Sequence, residues 1–422
     1  MTPETLVTVA TSAADGHDSA YVAFALAVIL FAAKAGADLV VRIGQAAVLG
    51  ELLAGVMIGN LDLVGVNIFE PIAHDAAVST LANLGVIILL FQVGLESTVG
   101  QMLRVGWSAL LVAVLGVVAP FALGWLVGMV LLPEAGSYAH AFIGATLSAT
   151  SVGITARVLQ DIGKMQTQEA KIILGAAVVD DVLGLVVLAV VTGMVGAADR
   201  GVDFSALSIA GTVAKSSGFL FGAIALGVWL APRVMHLASK LRARNVLLAT
   251  GLGFCFLLAW LSGVIGLAPI VGAFAAGLIL EDVHYKDFVS RGEHGLEELI
   301  RPISSFLAPV FFVVMGARTD LSSFADPSTL GVAAALTLAA ILGKQACSFG
   351  VLGKGVSRLA VGIGMIPRGE VGLIFANIGL TLTLGGRPII DQRIFAAIVL
   401  MVIFTTFVTP PALRWSLMRA RS

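Results

Sequence analysis

The chain has 422 residues, 58% of them hydrophobic and only 12% charged, and 25 Lys and Arg against 26 Asp and Glu leave a formal net charge of -1. A mean hydropathy of +1.01 exceeds what a water-soluble core absorbs and points to a polytopic membrane protein. The near-neutral balance gives no basic footprint for nucleic acid, no HExxH-type spacing offers a metal centre, and neither enzymatic chemistry nor a resident cofactor is expected.

Residues 1–19 form a polar tail that carries Glu4, Asp15, His17 and Asp18 but no Lys or Arg. It lacks the basic start of a secretory signal peptide, so insertion is expected to begin with the first hydrophobic helix itself. Apolar windows bounded by charged or Pro/Gly-rich breaks then give about thirteen candidate helices for a ~30 Å hydrocarbon layer. Their limits lie near 20–41, 45–60, 80–96, 107–132, 138–160, 169–196, 205–231, 245–262, 265–281, 299–316, 327–350, 356–384 and 392–415, followed by a tail at 416–422. The second window is short, and the eighth and ninth part only around Ser262 and Gly263, so a count of twelve is an alternative. Cys255 and Cys347 both fall in these windows and read as buried thiols, while the six histidines fall in loops or at helix edges.

Lys and Arg are retained on the cytoplasmic side of a membrane. Most of them fall on one side if the N-terminus is outside and the C-terminus inside, leaving Arg157, Lys344 and Arg368 at membrane depth. The longest polar connection, Asp282 to Arg301, reads as a solvated surface helix in which Glu297 meets Arg301 at i,i+4 spacing.

Asp180 and Asp181 sit side by side in the sixth window, within the apolar run IILGAAVVDDVLGLVVL that starts at Ile172. Each acidic side chain at the centre of a membrane helix costs roughly 2.5–3.5 kcal/mol, so the pair requires a partner charge, a proton or a bound cation. The eleventh window supplies a candidate partner, Lys344. A static salt bridge accounts for one carboxylate and leaves the other to be explained. Adjacent helical residues point about 100° apart, which allows one Asp to face Lys344 and the other an aqueous cavity where a proton and a hard cation compete for the same oxygen atoms.

Two other windows are interrupted. Ala149 to Thr155 (ATSVGIT) breaks the fifth, and Ile366 to Glu370 (IPRGE) breaks the twelfth, where Pro367 removes a donor and Gly369 loosens the backbone. Unwound backbone at membrane depth must face protein or a cavity, and interrupted helices in equivalent positions of two halves point to a transporter site near the midplane. The placement suggests two six-helix units of opposite orientation joined by the seventh span. Thr150 and Ser151 are candidate ion-site residues, with helix packing as the plainer alternative. Arg368 and Glu370 pair with each other or with polar neighbours to support the break; Glu51 and Arg157 read as interfacial or gating charges.

The strings ATSVGITARVLQ from Ala149, IILGAAVVDDVLGL from Ile172, GLAPIVGAF from Gly266 and PRGEVGLI from Pro367 together resemble the CPA2 family of monovalent cation:proton antiporters, and among them the bacterial NapA-type sodium/proton antiporters. The resemblance runs from about Gln45 to Pro410. It implies an all-α, NhaA-like fold of two inverted repeats with two crossed discontinuous helices. It makes Asp181 the carboxylate that binds the sodium ion and the proton, pairs Asp180 with Lys344 at rest, and places Thr150 and Ser151 at the helix crossing with Pro367, Arg368 and Glu370 in support. An Asp-Asp pair with the lysine resembles the electrogenic branch. It further implies a homodimer in a bacterial inner membrane, with residues 20–96 and 245–316 as dimerisation scaffold, 107–196 and 327–415 as ion-transporting core, and 205–231 as linker. The expected function is exchange of cytoplasmic sodium or lithium for external protons by alternating access. Potassium/proton exchange on the same fold and sodium-coupled organic anion symport are the alternatives.

Overall fold

The computed structural model describes residues 19–61, 75–96, 106–164, 166–199, 206–241, 243–265, 267–280, 288, 294–319, 326–353 and 355–419. Helices fall in the expected windows: α1 Ser19–Arg42, α2 Ala47–Gly59, α3 Ala76–Glu96, α4 Trp107–Leu131, α5 Gly136–Ser148, α6 Val152–Asp161, α7 Gln168–Asp199, α8 Ala206–Ala238, α9 Val246–Ile265, α10 Pro269–Ile279, α11 Leu296–Ala317, α12 Pro327–Gln345, α13 Arg358–Gly364, α14 Gly369–Thr381 and α15 Gln392–Arg419. Among the described residues, 8 helices are long and apolar enough to cross a membrane, and α2, α10 and the body of α14 are shorter apolar helices.

The starts of several helices are written in side chains. Asp75 Oδ1 accepts the Val78 amide at 2.8 Å ahead of α3, Thr167 Oγ1 accepts that of Ala170 at 3.3 Å ahead of α7, and Asp391 Oδ1 accepts that of Ile394 at 2.8 Å ahead of α15. Each satisfies a donor that the first turn leaves open.

The chain folds as two compact units. The first comprises residues 1–89 with 302–326, and its helices meet backbone to backbone through glycines. A Cβ on Gly36 of α1 would fall 2.2 Å from the Gly50 carbonyl oxygen of α2, and one on Gly55 of α2 would fall 2.1 Å from that of Val313 in α11. Close approach of this kind is how membrane helices gain packing contacts. Glu51, expected at an interface, is buried in this unit on α2, 7% exposed.

The second unit comprises residues 90–301 with 327–422. Compactness therefore divides the chain inside α3 and at Arg301, and groups residues 245–301 with α4 to α8 instead of with α1 and α2. The C-terminal turns of α3 explain this locally, because a Cβ on Gly277 of α10 would fall 2.2 Å from the Phe91 carbonyl oxygen.

Both interrupted windows are broken helices. The fifth divides into α5 and α6, with Ala149 in extended conformation at φ -58° and ψ 144°. The twelfth divides into α13 and α14, and Gly369 starts α14 at φ +41°. Two expectations meet the structure differently. The twelfth window does not stay helical to residue 384, because Thr383–Leu384 and Arg387–Pro388 form a two-stranded antiparallel hairpin. Its turn residues Gly385 and Gly386 have φ of +58° and +79°, the Gly-Gly signal of a tight hairpin turn, so the described residues form a helical fold with one small β element. His140 lies within α5, buried, with Nε2 2.8 Å from the Leu132 carbonyl oxygen, because the helix begins earlier than its apolar residues suggest. Glu297 does meet Arg301 as expected, at 2.8 Å, although most of the preceding connection lies outside the described residues.

Candidate functional site

At about 1.5 Å per residue, the 32 residues of α7 reach roughly 48 Å, well beyond a ~30 Å hydrocarbon layer. Asp180 and Asp181 lie near its middle. The 100° step between neighbours separates them. Asp180 is 1% exposed, and its Oδ1 lies 2.9 Å from Nζ of Lys344, which is fully buried in the last turn of α12. Asp181 is half-buried.

The ion pair sits in apolar surroundings made by α4, α7 and the turn after α12, where Val112, Ala113, Ala176, Val179 and Cys347 form one buried cluster. In such low-dielectric surroundings the attraction is strong, and so is the cost of losing one partner. Gly116 of α4 leaves the room for it. A Cβ there would fall 2.9 Å from Cys347 Sγ and 3.3 Å from both Asp180 Oδ1 and Lys344 Nζ.

A small cavity of about 20 Å³ opens beside the pair. Thr150, Asp180 and Asp181, which carry side-chain oxygens, are among its lining residues, and Leu90, Leu185, Phe274, Val371 and Phe375 are others. Two of the oxygens are buried with no hydrogen-bond partner among the described residues, Thr150 Oγ1 and Asp180 Oδ2. Buried polar atoms left unpaired are uncommon and call for an occupant. One water needs roughly 10–15 Å³ by this measure, so the cavity admits a water or a dehydrated small cation.

The two breaks cross beside this cavity. The Ser151 amide donates to the Pro367 carbonyl at 2.8 Å, and Thr155 Oγ1 donates to the Gly364 carbonyl at 2.6 Å. Ser151 is buried at the crossing and is not among the residues lining the cavity. Pro367 can offer only its carbonyl. Fully buried Arg368 donates to the Ala149 carbonyl just past the end of α5 and, at 3.1 Å, to the Ala340 carbonyl of α12. A cation at a helix C-terminus also meets the negative end of the helix dipole. Among the described residues the partners of Arg368 are thus main-chain carbonyls. The side chains of Glu370 and Arg157 lie outside the described residues.

Nothing in the sequence distinguishes Gly116 from other glycines of apolar helices until the ion pair is seen beside it. Glu169, at the start of α7, reads as an ordinary first-turn acid. In the structure its Oε1 accepts the Ser357 amide at 2.9 Å.

A sodium/hydrogen exchanger transmembrane family model matches residues 24–419. The chain belongs to this family. Sodium/hydrogen exchangers are transporters, not enzymes by name, and membership accords with the apolar helices described above. The chain is 38% identical to the high-affinity Na(+)/H(+) antiporter NhaS3 of Synechocystis, over 93% of this chain and 89% of that one. It is 35% identical to the Na(+)/H(+)-K(+) antiporter GerN of Bacillus cereus, over 93% and 95%, and 32% identical to a Na(+)/H(+) antiporter of Enterococcus hirae, over 92% and 96%. In fold, this family member resembles the sodium proton antiporter MjNhaP1 of Methanocaldococcus jannaschii, with a TM-score of 0.67 at 19% identity over 99% of both chains.

Proposed function

We propose that the protein is a secondary antiporter that exchanges cytoplasmic sodium, or lithium, for external protons by alternating access. The observation that carries this reading is the small cavity lined by Thr150, Asp180 and Asp181, beside which Asp180 Oδ2 and Thr150 Oγ1 are buried with no hydrogen-bond partner among the described residues while Lys344 holds the other oxygen of Asp180. These are oxygen ligands suited to a hard cation. A cation entering the cavity displaces a proton from Asp181, and its charge at Asp180 Oδ2 loosens the pair with Lys344. If Asp181 and the Asp180–Lys344 pair each release one proton per cation, net charge crosses, and transport couples to membrane potential at about 2.3 kcal/mol per 100 mV for each charge moved.

Several finer features belong to the same proposal. They are about thirteen spans in two inverted six-helix repeats, a homodimer built on 20–96 and 245–316, a moving core of 107–196 and 327–415, and a bacterial inner membrane with the N-terminus outside. The names of three relatives from three organisms support sodium/proton exchange. The name of GerN also includes potassium, which favours potassium/proton exchange as the second reading. A cavity of about 20 Å³ holds about one water-sized occupant and weighs against an organic anion.

The test is reconstitution in proteoliposomes. An imposed sodium gradient drives an internal pH change, Asp181→Asn abolishes it, and parallel sodium, lithium and potassium gradients rank the cations. Full activity in Asp181→Asn would sink the site assignment.

A further inference from the structure

The seven-residue helix α13 is too short to hold its own conformation in isolation, so it is held by the burial of Ala360 to Gly364 and by hydrogen bonds at its two ends, which set its register. Its N-cap is Ser357, whose Oγ accepts the Ala360 amide at 3.3 Å. In a capping box the residue three places on, a Glu or Gln, reciprocates by accepting the N-cap amide. Here that place is taken by Ala360, which has no acceptor. The missing half comes from another helix: Glu169 Oε1 of α7 accepts the Ser357 amide at 2.9 Å. The other end of α13 is held by the Thr155 hydroxyl on the Gly364 carbonyl, and three residues later the Pro367 carbonyl holds the Ser151 amide, next to Thr150 of the cavity. The far end of α7 makes a similar tie, where Asp199 Oδ1 accepts the Gly385 amide at 2.9 Å in the hairpin after α14. The helix that carries both aspartates is therefore fastened to the chain on each side of the second broken helix.

We propose that Glu169 is a positioning residue for ion binding: by completing the capping box of α13 in trans, it fixes the register of the second helix break against the first and so holds the crossing beside Thr150 in the geometry that receives the cation. This rests on the cation/proton exchange proposed above. Glu169 acts through hydrogen-bond reach, not through charge, and two conservative variants separate these properties. Glu169→Gln keeps reach and an acceptor oxygen but loses charge. Glu169→Asp keeps charge but is one methylene shorter.

In proteoliposomes, sodium-driven pH change is measured over a sodium titration. Glu169→Asp and Glu169→Ala raise the half-saturating sodium concentration about fivefold, the effect of losing roughly one cap interaction, with maximal rate little changed. Glu169→Gln stays within about twofold of the native value, as a retained cap hydrogen bond requires. Native-like behaviour of Glu169→Asp, or a Glu169→Gln as impaired as Glu169→Ala, overturns the proposal in favour of a charge that gathers cations or of no role. Should Glu169→Ala fail to fold, the Gln and Asp pair still decides. Amide hydrogen exchange across residues 358–364 gives a readout independent of transport: it accelerates in Glu169→Asp and not in Glu169→Gln. Absent sodium-driven proton movement in the native protein would overturn the exchange reading while leaving this measurement of the tie intact; unchanged exchange in Glu169→Asp would remove the tie itself.

Discussion

Lys344 Nζ lies 2.9 Å from one oxygen of Asp180, while the other oxygen, Oδ2, is buried with no hydrogen-bond partner among the described residues. Asp180 thus has two faces with different tasks. Removing only Lys344 strands a buried carboxylate, a loss of about 3–5 kcal/mol unless Asp180 takes up a proton. Lys344→Met is therefore expected to lower the thermal transition measured in detergent, and Asp180→Asn with Lys344→Met to recover much of that loss. If the pair carries one of the two exchanged protons, transport by the double variant no longer responds to an imposed membrane potential. A potential response equal to that of the native protein would remove the pair from the proton count.

Thr150 offers a cleaner test of the cavity, because its hydroxyl has no partner among the described residues to lose. Thr150→Val keeps the shape and deletes the oxygen. Stability should not fall below native, because deleting a buried hydroxyl with no internal partner loses no protein hydrogen bond and relieves its desolvation penalty. The half-saturating sodium concentration should rise roughly tenfold, the equivalent of a hydrogen bond to a charged group at about 1.5 kcal/mol, and Thr150→Ser should restore it. Unchanged sodium dependence in Thr150→Val would take the hydroxyl out of the ion's ligand set.

The parts of this arrangement that the sequence makes legible are those whose chemistry is anomalous in a membrane. Two adjacent aspartates and a lysine in apolar runs, and a Pro-Arg-Gly string inside another, have no plain explanation as lipid-facing helix, and the structure joins Asp180 to Lys344 and breaks α13 from α14 where Pro367 stands. Residues whose chemistry is ordinary until their neighbours are known stay hidden. Gly116 is one of 48 glycines, and only the position of Cys347 and the ion pair beside it gives it meaning. Glu169 looks like any acid in a first helical turn until Ser357, 188 residues on, is found donating to it. The hairpin after α14 is hidden for another reason: apolar residues before Gly385 continue a helical pattern, and the local Gly-Gly turn overrides it.

Arg368 joins three helices through main-chain oxygens of Ala149 and Ala340, a task that suits a planar fork of donors. Lysine has the charge but not the fork. Arg368→Lys loses at least one of these hydrogen bonds from a charged donor, about 1.5–3 kcal/mol, and Arg368→Ala loses both. Thermal denaturation should rank native above Lys above Ala. A Lys variant as stable as the native protein would show that the charge at the end of α5, not the bridging geometry, is what matters.

Gly116 supplies the last prediction. A methyl group there meets Cys347 Sγ at 2.9 Å and both members of the ion pair at 3.3 Å, and the backbone of α4 cannot retreat freely from a packed interior. Overpacking of this kind costs about 1–3 kcal/mol. The sulfur is the closest obstacle and sits on a short side chain that a second substitution can shrink. Gly116→Ala should therefore lower both stability and exchange rate, and Gly116→Ala with Cys347→Ala should recover stability, because the lost sulfur makes room for the added carbon. Exchange returns with it only if the Asp180–Lys344 distance is what the methyl group had disturbed. Recovery of stability without recovery of transport would mean that the remaining 3.3 Å contacts to Asp180 and Lys344 are enough to displace the pair. No recovery of either would place the strain in the α4 backbone and exclude the sulfur as its cause.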